Sequence, residues 1–248
     1  MDTRIVTLED LSFRAWPALE TRSYDGWILR FADGYTRRSN SVNPIYYPGD
    51  APLAEKLHFC ATMYRERGLP VVYKMTPAAV PPELDDALAE AGYERQSGAL
   101  MQAADLTALT VGLHPNVTIA AQPTDAWITD FVRLNEVDDT HIPAMRKLLS
   151  TIRPAQAFMS LKREHETLAV GLAVCEDGHL GLFDIVTARQ YRRQGNGRAL
   201  VESLLAWGKS NGAEAAYLQV KPENEPALGL YRKFGFETVY EYWYRVLG

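Results

Sequence analysis

The sequence predicts an α/β protein, an α+β mixed sheet with helices packed on it, laid out in two related halves. Three observations carry this. In the second half, apolar runs of strand character alternate with helical periodicity in the order β-α-α-β-β-β-α-β-α-β. A shorter version of that order recurs in the first half, in register. Finally, "QYRRQGNGRALVESLL" (Gln190–Leu205) is a glycine-rich turn that runs straight into a helix.

The elements follow in chain order. "MDTRIVTLEDLSF" has no basic region followed by an apolar run, so no secretory signal is expected there. "DGWILRFADGYTRRSNSV" (Asp25–Val42) carries an Asp33-Gly34 turn and reads as a hairpin. "LAEKLHFCATMYRERG" sets Leu53, Leu57, Cys60 and Tyr64 on one helical face and stops at Gly68. A strand "LPVVYKM", a helix in "PELDDALAEAGY" and a strand "ERQSGALMQ" come next. "TALTVGLHPN" (Thr107–Asn116) contains Gly and Pro without periodicity, and the boundary is placed there, with domains over 1–110 and 117–248.

In the second half "VTIAAQPT" reads as a strand, and "DAWITDFVRLN" and "IPAMRKLLSTI" as short amphipathic helices. "QAFMSLKR" precedes a hairpin of "TLAVGLAV" and "HLGLFDIVT" around Glu176-Asp177-Gly178. The helix after the glycine-rich turn runs to about Asn211, with Gly212 as its C′ residue. "AAYLQVK", "EPALGLYRKFG" and "ETVYEYWYRVL" complete the order as strand, helix and strand. Gly68 then aligns with Gly212, Tyr73 with Tyr217 and Gly92 with Gly235, at offsets of 144, 144 and 143. Where the second copy has "YRRQGNGR", the first has "YYPGDAPL", with one glycine and no arginine, so a single anion-binding loop is expected.

Composition narrows the function. A net charge of −5 argues against a general nucleic-acid binder, whose footprint would be basic. Cys60 and Cys175 lie far apart in apolar patterns, read as buried free thiols, and no Cys/His spacing suggests a metal. The longest apolar run, Leu168–Cys175, is far too short to span a bilayer. The expectation is a cytoplasmic protein, monomeric or homodimeric, with neither nucleic-acid nor membrane partner.

The question is which anion the loop holds. A dinucleotide fingerprint needs a third glycine, and Leu200 stands there instead. A P-loop needs Gly-Lys followed by Ser or Thr, and Arg198-Ala199 supplies neither. What remains is Arg192-x-x-Gly195-x-Gly197 between a strand and a long helix. Further on, Asn224, Ala227, Tyr231, Gly235 and Phe236 stand in the pattern N-x-x-A-x-x-x-Y-x-x-x-G-F. Together these resemble motifs A and B of the GCN5-related N-acetyltransferases (GNAT family), over about Val117 to Leu247.

The resemblance implies a GNAT fold in the C-terminal half, a smaller GNAT-like N-terminal half, and acetyl-CoA as acyl donor. It implies that Arg192, Arg193, Gln194, Gly195, Asn196, Gly197 and Arg198 receive the pyrophosphate. By the same resemblance, backbone groups of Ile185, Val186 and Thr187 receive the pantetheine and thioester, and Asn224 bonds the cofactor or caps its helix. Tyr231 is implied as the general acid for the departing thiolate, a phenol being protonated at pH 7. Asp184 is either the base for the amine proton, a group that orients a cationic acceptor, or a residue that hydrogen-bonds across the sheet. His141 lies where the family shapes its acceptor pocket.

The first half, similar to a segment of two-domain bacterial GNAT proteins, is expected to be a degenerate copy serving as scaffold or acceptor-site wall. Its Arg37-Arg38-Ser39-Asn40 cluster is either a carboxylate clamp, through Arg38 and Asn40, or a solvated strand edge. The function expected is transfer of an acetyl group to a small-molecule amine, with an amino acid as one such acceptor. Acetylation of a protein or peptide, and a non-catalytic acyl-CoA sensor, are the alternatives.

Overall fold

The computed structural model describes residues 3–247, which form seven α-helices and eleven strands. The chain divides into two compact units. The first comprises Met1–Leu100 with Tyr240–Gly248, the second Met101–Val239. The dividing points lie inside strands, whereas the sequence reading put a single boundary at 107–116.

The first unit contains α1 (Thr3–Ala15), β1 (Glu20–Tyr24), β2 (Trp27–Phe31), β3 (Val42–Asn43), α2 (Leu53–Arg65), β4 (Val71–Met75) and α3 (Leu84–Glu90). It also holds the start of β5 (Glu94–Asp105) and the end of β11 (Glu237–Leu247). Its strand order is β1-β2-β3-β4-β11-β5, so the neighbour of β4 is the last strand of the chain. That pairing is antiparallel, with Arg245 opposite Tyr73. The core gathers Trp27, Leu29, Tyr64, Tyr73, Met75 and Leu84.

The second unit contains β6 (Val117–Ala120), α4 (Asp125–Asn135), α5 (Ile142–Ser150), β7 (Ala155–Arg163), β8 (Glu166–Glu176), β9 (His179–Thr187), α6 (Asn196–Ser210), β10 (Ala215–Val220) and α7 (Glu225–Arg232). This is the order read from the sequence. Its strands run β11-β5-β10-β9-β8-β7-β6, all antiparallel from β9 to β6, with β9 and β10 parallel. β8 is buried at nine consecutive positions, Thr167–Cys175, because helices cover both of its faces, as its unbroken apolar run requires.

α6 shows how local sequence sets the packing. Leu200, Val201, Leu204, Leu205 and Gly208 fall on one face and are buried. Each such Leu or Val contributes about 1.5–3 kcal/mol by leaving water. A Cβ on Gly208 would stand 2.4 Å from Leu180, so the glycine lets helix and strand touch. The helix ends at Gly212, left-handed at φ 85°, as expected.

The repeat is visible in each unit. Asp33-Gly34 and Asp177-Gly178 are left-handed pairs, φ 49° and 77° against 50° and 72°. Each pair lies between antiparallel strands, β2–β3 and β8–β9. The next strand reaches its parallel partner at Val42 opposite Tyr73, and at Gly181 opposite Tyr217. The first connection is therefore longer, and its extra length carries a 3-10 turn, Arg37–Ser39. A second hairpin, β1–β2 around Asp25-Gly26, and helix α1 were not assigned from the sequence.

Candidate functional site

The second unit gathers most of the residues singled out above at the C-terminal end of β9. β9 pairs with β10 from His179 to Leu182, where the parallel ladder stops. On its other side β9 pairs with β8 to the end, but one residue, Gly171, faces two, Asp184 and Ile185. That is a β-bulge, and Asp184 takes the left-handed backbone it needs, φ 51°. A Cβ on Gly171 would meet Leu204, Leu200 and Ile185 at 3.1–3.3 Å, so the narrow strand opposite the bulge is also tightly covered. On the β10 side the ladder has stopped by then, so the backbone of Ile185, Val186 and Thr187 has no ladder partner in β10 and is suited to pairing with an extended ligand.

The loop at the end of β9 is folded by its own side chains. Arg192 Nε donates to Thr187 O (3.1 Å), Gln194 Nε2 to Gln190 O (3.0 Å) and Asn196 Nδ2 to Tyr191 O (2.8 Å). Tyr191 OH donates to Glu166, and Arg189 pairs with Glu136 at 2.9 Å. Arg193 and Gly195 are left-handed, φ 59° and 84°. The first backbone bond at the head of α6 is Ala199 N–H to Gly195 O, at 3.0 Å. The N–H groups of Asn196, Gly197 and Arg198 precede any carbonyl one turn back, as at every helix start. Arg193 and Arg198 are exposed beside them. The two glycines differ in reason: Gly195 supplies the turn, while a Cβ on Gly197 would stand 3.2 Å from Thr187 Oγ1 and 3.6 Å from Leu230. Beside Gly195 and Arg198 lies a cavity of about 320 Å³, also lined by Leu113, His114 and Glu202.

Asn224 caps α7, its Oδ1 accepting from Ala227 N–H at 3.3 Å, which leaves its NH₂ for another partner. Tyr231, on the same helix, is 8% exposed and packs at 5.9 Å from the Phe236 ring. Burial pushes its phenol up to about 12. His141 is partly exposed at the start of α5, its N–H bonded to Asp138 O at 2.9 Å. Glu136, Asp138 and Asp139 flank it, and the Glu136–Arg189 pair ties this acidic turn to the end of β9.

Arg38 and Asn40 belong to the first unit. Asn40 Oδ1 accepts from Ala32 N–H and Gly34 N–H, and its Nδ2 donates to Tyr35 O and Thr36 O, all within 2.8–3.1 Å. Its amide holds the loop after β2. Arg38 lays its guanidinium over the Trp16 ring at 4.6 Å. Arg30, buried below, donates to Arg38 O (2.6 Å) and Trp16 O (2.5 Å), and desolvation lowers it to about 10.

The sequence reading passed over Gly171, Tyr191 and Glu166. Gly171, alone in an apolar run and opposite a lone aspartate, was the available signal. Both cysteines are free and buried. Among the described residues no group of three or more His, Cys, Asp or Glu could hold a metal, and no helix is long and apolar enough to cross a membrane.

The sequence profile described as "Probable histone acetyltransferase Rv0428c C-terminal" matches residues 3–245. A protein of Bacillus subtilis (strain 168) described as "Uncharacterized N-acetyltransferase YobR" is 30% identical over 243 residues, covering 96% of this chain and 97% of that one. Among solved structures, a GCN5-related N-acetyltransferase from Kribbella flavida superposes with a TM-score of 0.70 at 17% identity, over 99% of this chain and 95% of that one. A tandem GNAT protein from the clavulanic acid biosynthesis pathway gives 0.62 at 11% identity, over 97% and 88%.

Proposed function

The chain belongs to the GNAT N-acetyltransferases, in their tandem form and akin to the Rv0428c C-terminal region, and from that premise we propose that the second unit binds acetyl-CoA and transfers its acetyl group to a small amine. The observation that carries this reading is the end of the β9–β10 ladder at Leu182, ahead of the glycine loop and the helix head whose first N–H groups precede the Ala199–Gly195 bond.

These groups fit a diphosphate. Asn196, Gly197 and Arg198 N–H meet phosphate oxygens at the positive end of α6, and Arg193 and Arg198 add charge-assisted bonds. Arg192, Gln194 and Asn196 each give one side-chain donor to a nearby backbone carbonyl, which holds the loop in shape and leaves further donors for a ligand. The cavity beside Gly195 has room for a nucleotide end. Acetyl-CoA supplies the activated thioester.

The residues of this chain do the rest. A backbone N–H beside the bulge polarises the carbonyl oxygen as negative charge grows there. Tyr231 holds its proton throughout the neutral range and delivers it to the leaving sulfur. Asp184 receives the amine proton or holds the cationic acceptor, and the acidic turn at Glu136, Asp138 and Asp139 draws that cation in. In the first unit, we assign Arg38 to binding a carboxylate and Asn40 to holding the loop that carries it.

A second reading, acetylation of a protein amine, is favoured by the histone acetyltransferase description of the matching family. One experiment separates them: CoA-thiol release with acetyl-CoA against a panel of amines, amino acids and peptides. Turnover confined to peptides would remove the small-amine reading. Binding without any product would make the protein a sensor. If acetyl-CoA fails to raise the melting temperature, the donor assignment falls.

A further inference from the structure

Tyr191 ends the 3-10 turn Arg189–Tyr191 between β9 and α6, and is half-buried. Its phenol reaches out of the loop. The hydroxyl donates to Oε2 of Glu166, the first residue of β8. Glu166 pairs with Arg163 where β7 turns into β8, and the Arg163 guanidinium lies 5.8 Å over the Tyr191 ring. The end of one hairpin thus holds the phenol at its ring and at its hydroxyl. The main chain of Tyr191 serves the loop instead. Its N–H donates to Ala188 O at 2.9 Å, and its carbonyl accepts from Asn196 Nδ2 at 2.8 Å. Asn196 is the first residue of α6 and only 8% exposed.

The other side-chain bonds here have a different reach. Arg192 Nε and Gln194 Nε2 donate to Thr187 O and Gln190 O, within the segment itself. Arg189 reaches Glu136 beyond α4, and no bond passes from it to α6. Among the described residues of the loop, Tyr191 alone bonds both β8 and the head of α6. A hydrogen bond weakens steeply once its donor is turned off line, so the orientation of Asn196 decides what the first N–H groups of α6 can hold.

We propose that Tyr191 is a positioning residue for the acyl donor, with Glu166 as its anchor. The carboxylate fixes the phenol, the Tyr191 carbonyl fixes the Asn196 side chain, and the head of α6 keeps its N–H groups on the pyrophosphate. Neither Tyr191 nor Glu166 touches the donor. That the N–H groups meet a pyrophosphate rests on the donor reading given above; the link from Glu166 to Asn196 does not.

Tyr191→Phe removes the hydroxyl alone and keeps the ring beside Arg163. KM for acetyl-CoA then rises about 3- to 10-fold, the worth of one hydrogen bond. At saturating donor kcat changes by less than about twofold, because the lost contact acts on binding rather than on the acyl transfer. Glu166→Ala gives the same rise, and Glu166→Gln, which keeps an acceptor oxygen, returns KM towards the unaltered value. The double variant Tyr191→Phe/Glu166→Ala is no worse than either single one, since both break the same bond. Hydrogen exchange reads the link with no donor present. The Ala199 amide, whose bond to Gly195 O is the first at the head of α6, exchanges faster in Tyr191→Phe. The proposal is overturned if Tyr191→Phe leaves KM unmoved, if the two single effects add in the double variant, or if the Ala199 amide stays as protected as before. Faster Ala199 exchange in a chain that binds no acetyl-CoA keeps the link and overturns the donor reading alone.

Discussion

Lys74 Nζ lies 2.6 Å from Glu9 Oε2, with 3% and 0% of the two side chains exposed, and Tyr240 OH donates to the other Glu9 oxygen at 2.6 Å. One helix and two strands of the first unit meet at this buried pair. Desolvation lowers the Lys74 ammonium, against which the Glu9 charge pulls upward. Lys74→Met therefore leaves a buried carboxylate without its cation and costs about 3–5 kcal/mol in urea unfolding. The double variant Glu9→Leu/Lys74→Met recovers only part of that loss, because buried Arg30 loses the Glu9 charge that favours its own.

Tyr231→Phe keeps the packing against Phe236 and removes the proton. We expect kcat to fall by about 10²-fold or more with acetyl-CoA affinity retained. Burial raises the phenol from 10 to about 12, so the native state holds the proton more tightly than the unfolded chain. Its contribution to stability is complete below pH 10 and is lost between 10 and 12. The kcat profile of the unaltered enzyme shows no alkaline fall from this group below pH 10. A Tyr231→Phe variant with unaltered turnover removes Tyr231 from the mechanism.

Gly195→Ala tests the loop. At φ 84° an alanine is strained by about 1–2 kcal/mol, though nothing stands within 4 Å of the added Cβ. The loop shifts to relieve the strain, the N–H groups lose their aim, and KM for acetyl-CoA rises while kcat changes little. Gly197→Ala acts through contact with Thr187 Oγ1 at 3.2 Å instead, and disturbs the strand as well.

Arg245 holds Asp85 with two bonds, Nε to Oδ1 at 2.9 Å and NH2 to Oδ2 at 2.8 Å, and Trp243 Nε1 adds a third at 2.7 Å. The Arg245 bond, first among these, holds the Asp85 carboxyl below the usual aspartate value. Its stabilisation is present above that value and is lost as pH falls through the lower native one. Asp85→Asn flattens this part of the acid-unfolding curve, measured as midpoint against pH.

Burial raises the Cys60 thiol to about 12 and shifts Cys175 upward as well. Neither forms appreciable thiolate at pH 8, so a disulfide reagent titrates no thiol in the native protein and both after unfolding. Rapid reaction of either in the folded state would contradict its burial.

The second unit was the legible one. Its helices carry strong periodicity, its strands are bounded by turn residues, and Asp177-Gly178 and Gly212 adopt the left-handed backbone their types suggest. Helix α1 was within reach of the sequence, since Ile5, Leu8, Leu11 and Ala15 repeat at helical spacing. The Asp25-Gly26 hairpin was missed because Asp33-Gly34, eight residues on, drew the assignment. Asn40 looked like a polar donor in an apolar stretch, and sequence cannot show that four backbone groups already use its amide. The strand order was out of reach for a deeper reason. β5 and β11 are similar in length and pattern, and nothing local says which of them lies beside β4 and which beside β10.

The two halves of the chain exchange their last strands: β4 closes against β11, and β10 against β5. A fragment cut at 110 would lack the strand that covers β4, and the remainder would lack the one that covers β10. Each would present a raw sheet edge, and either half alone should aggregate.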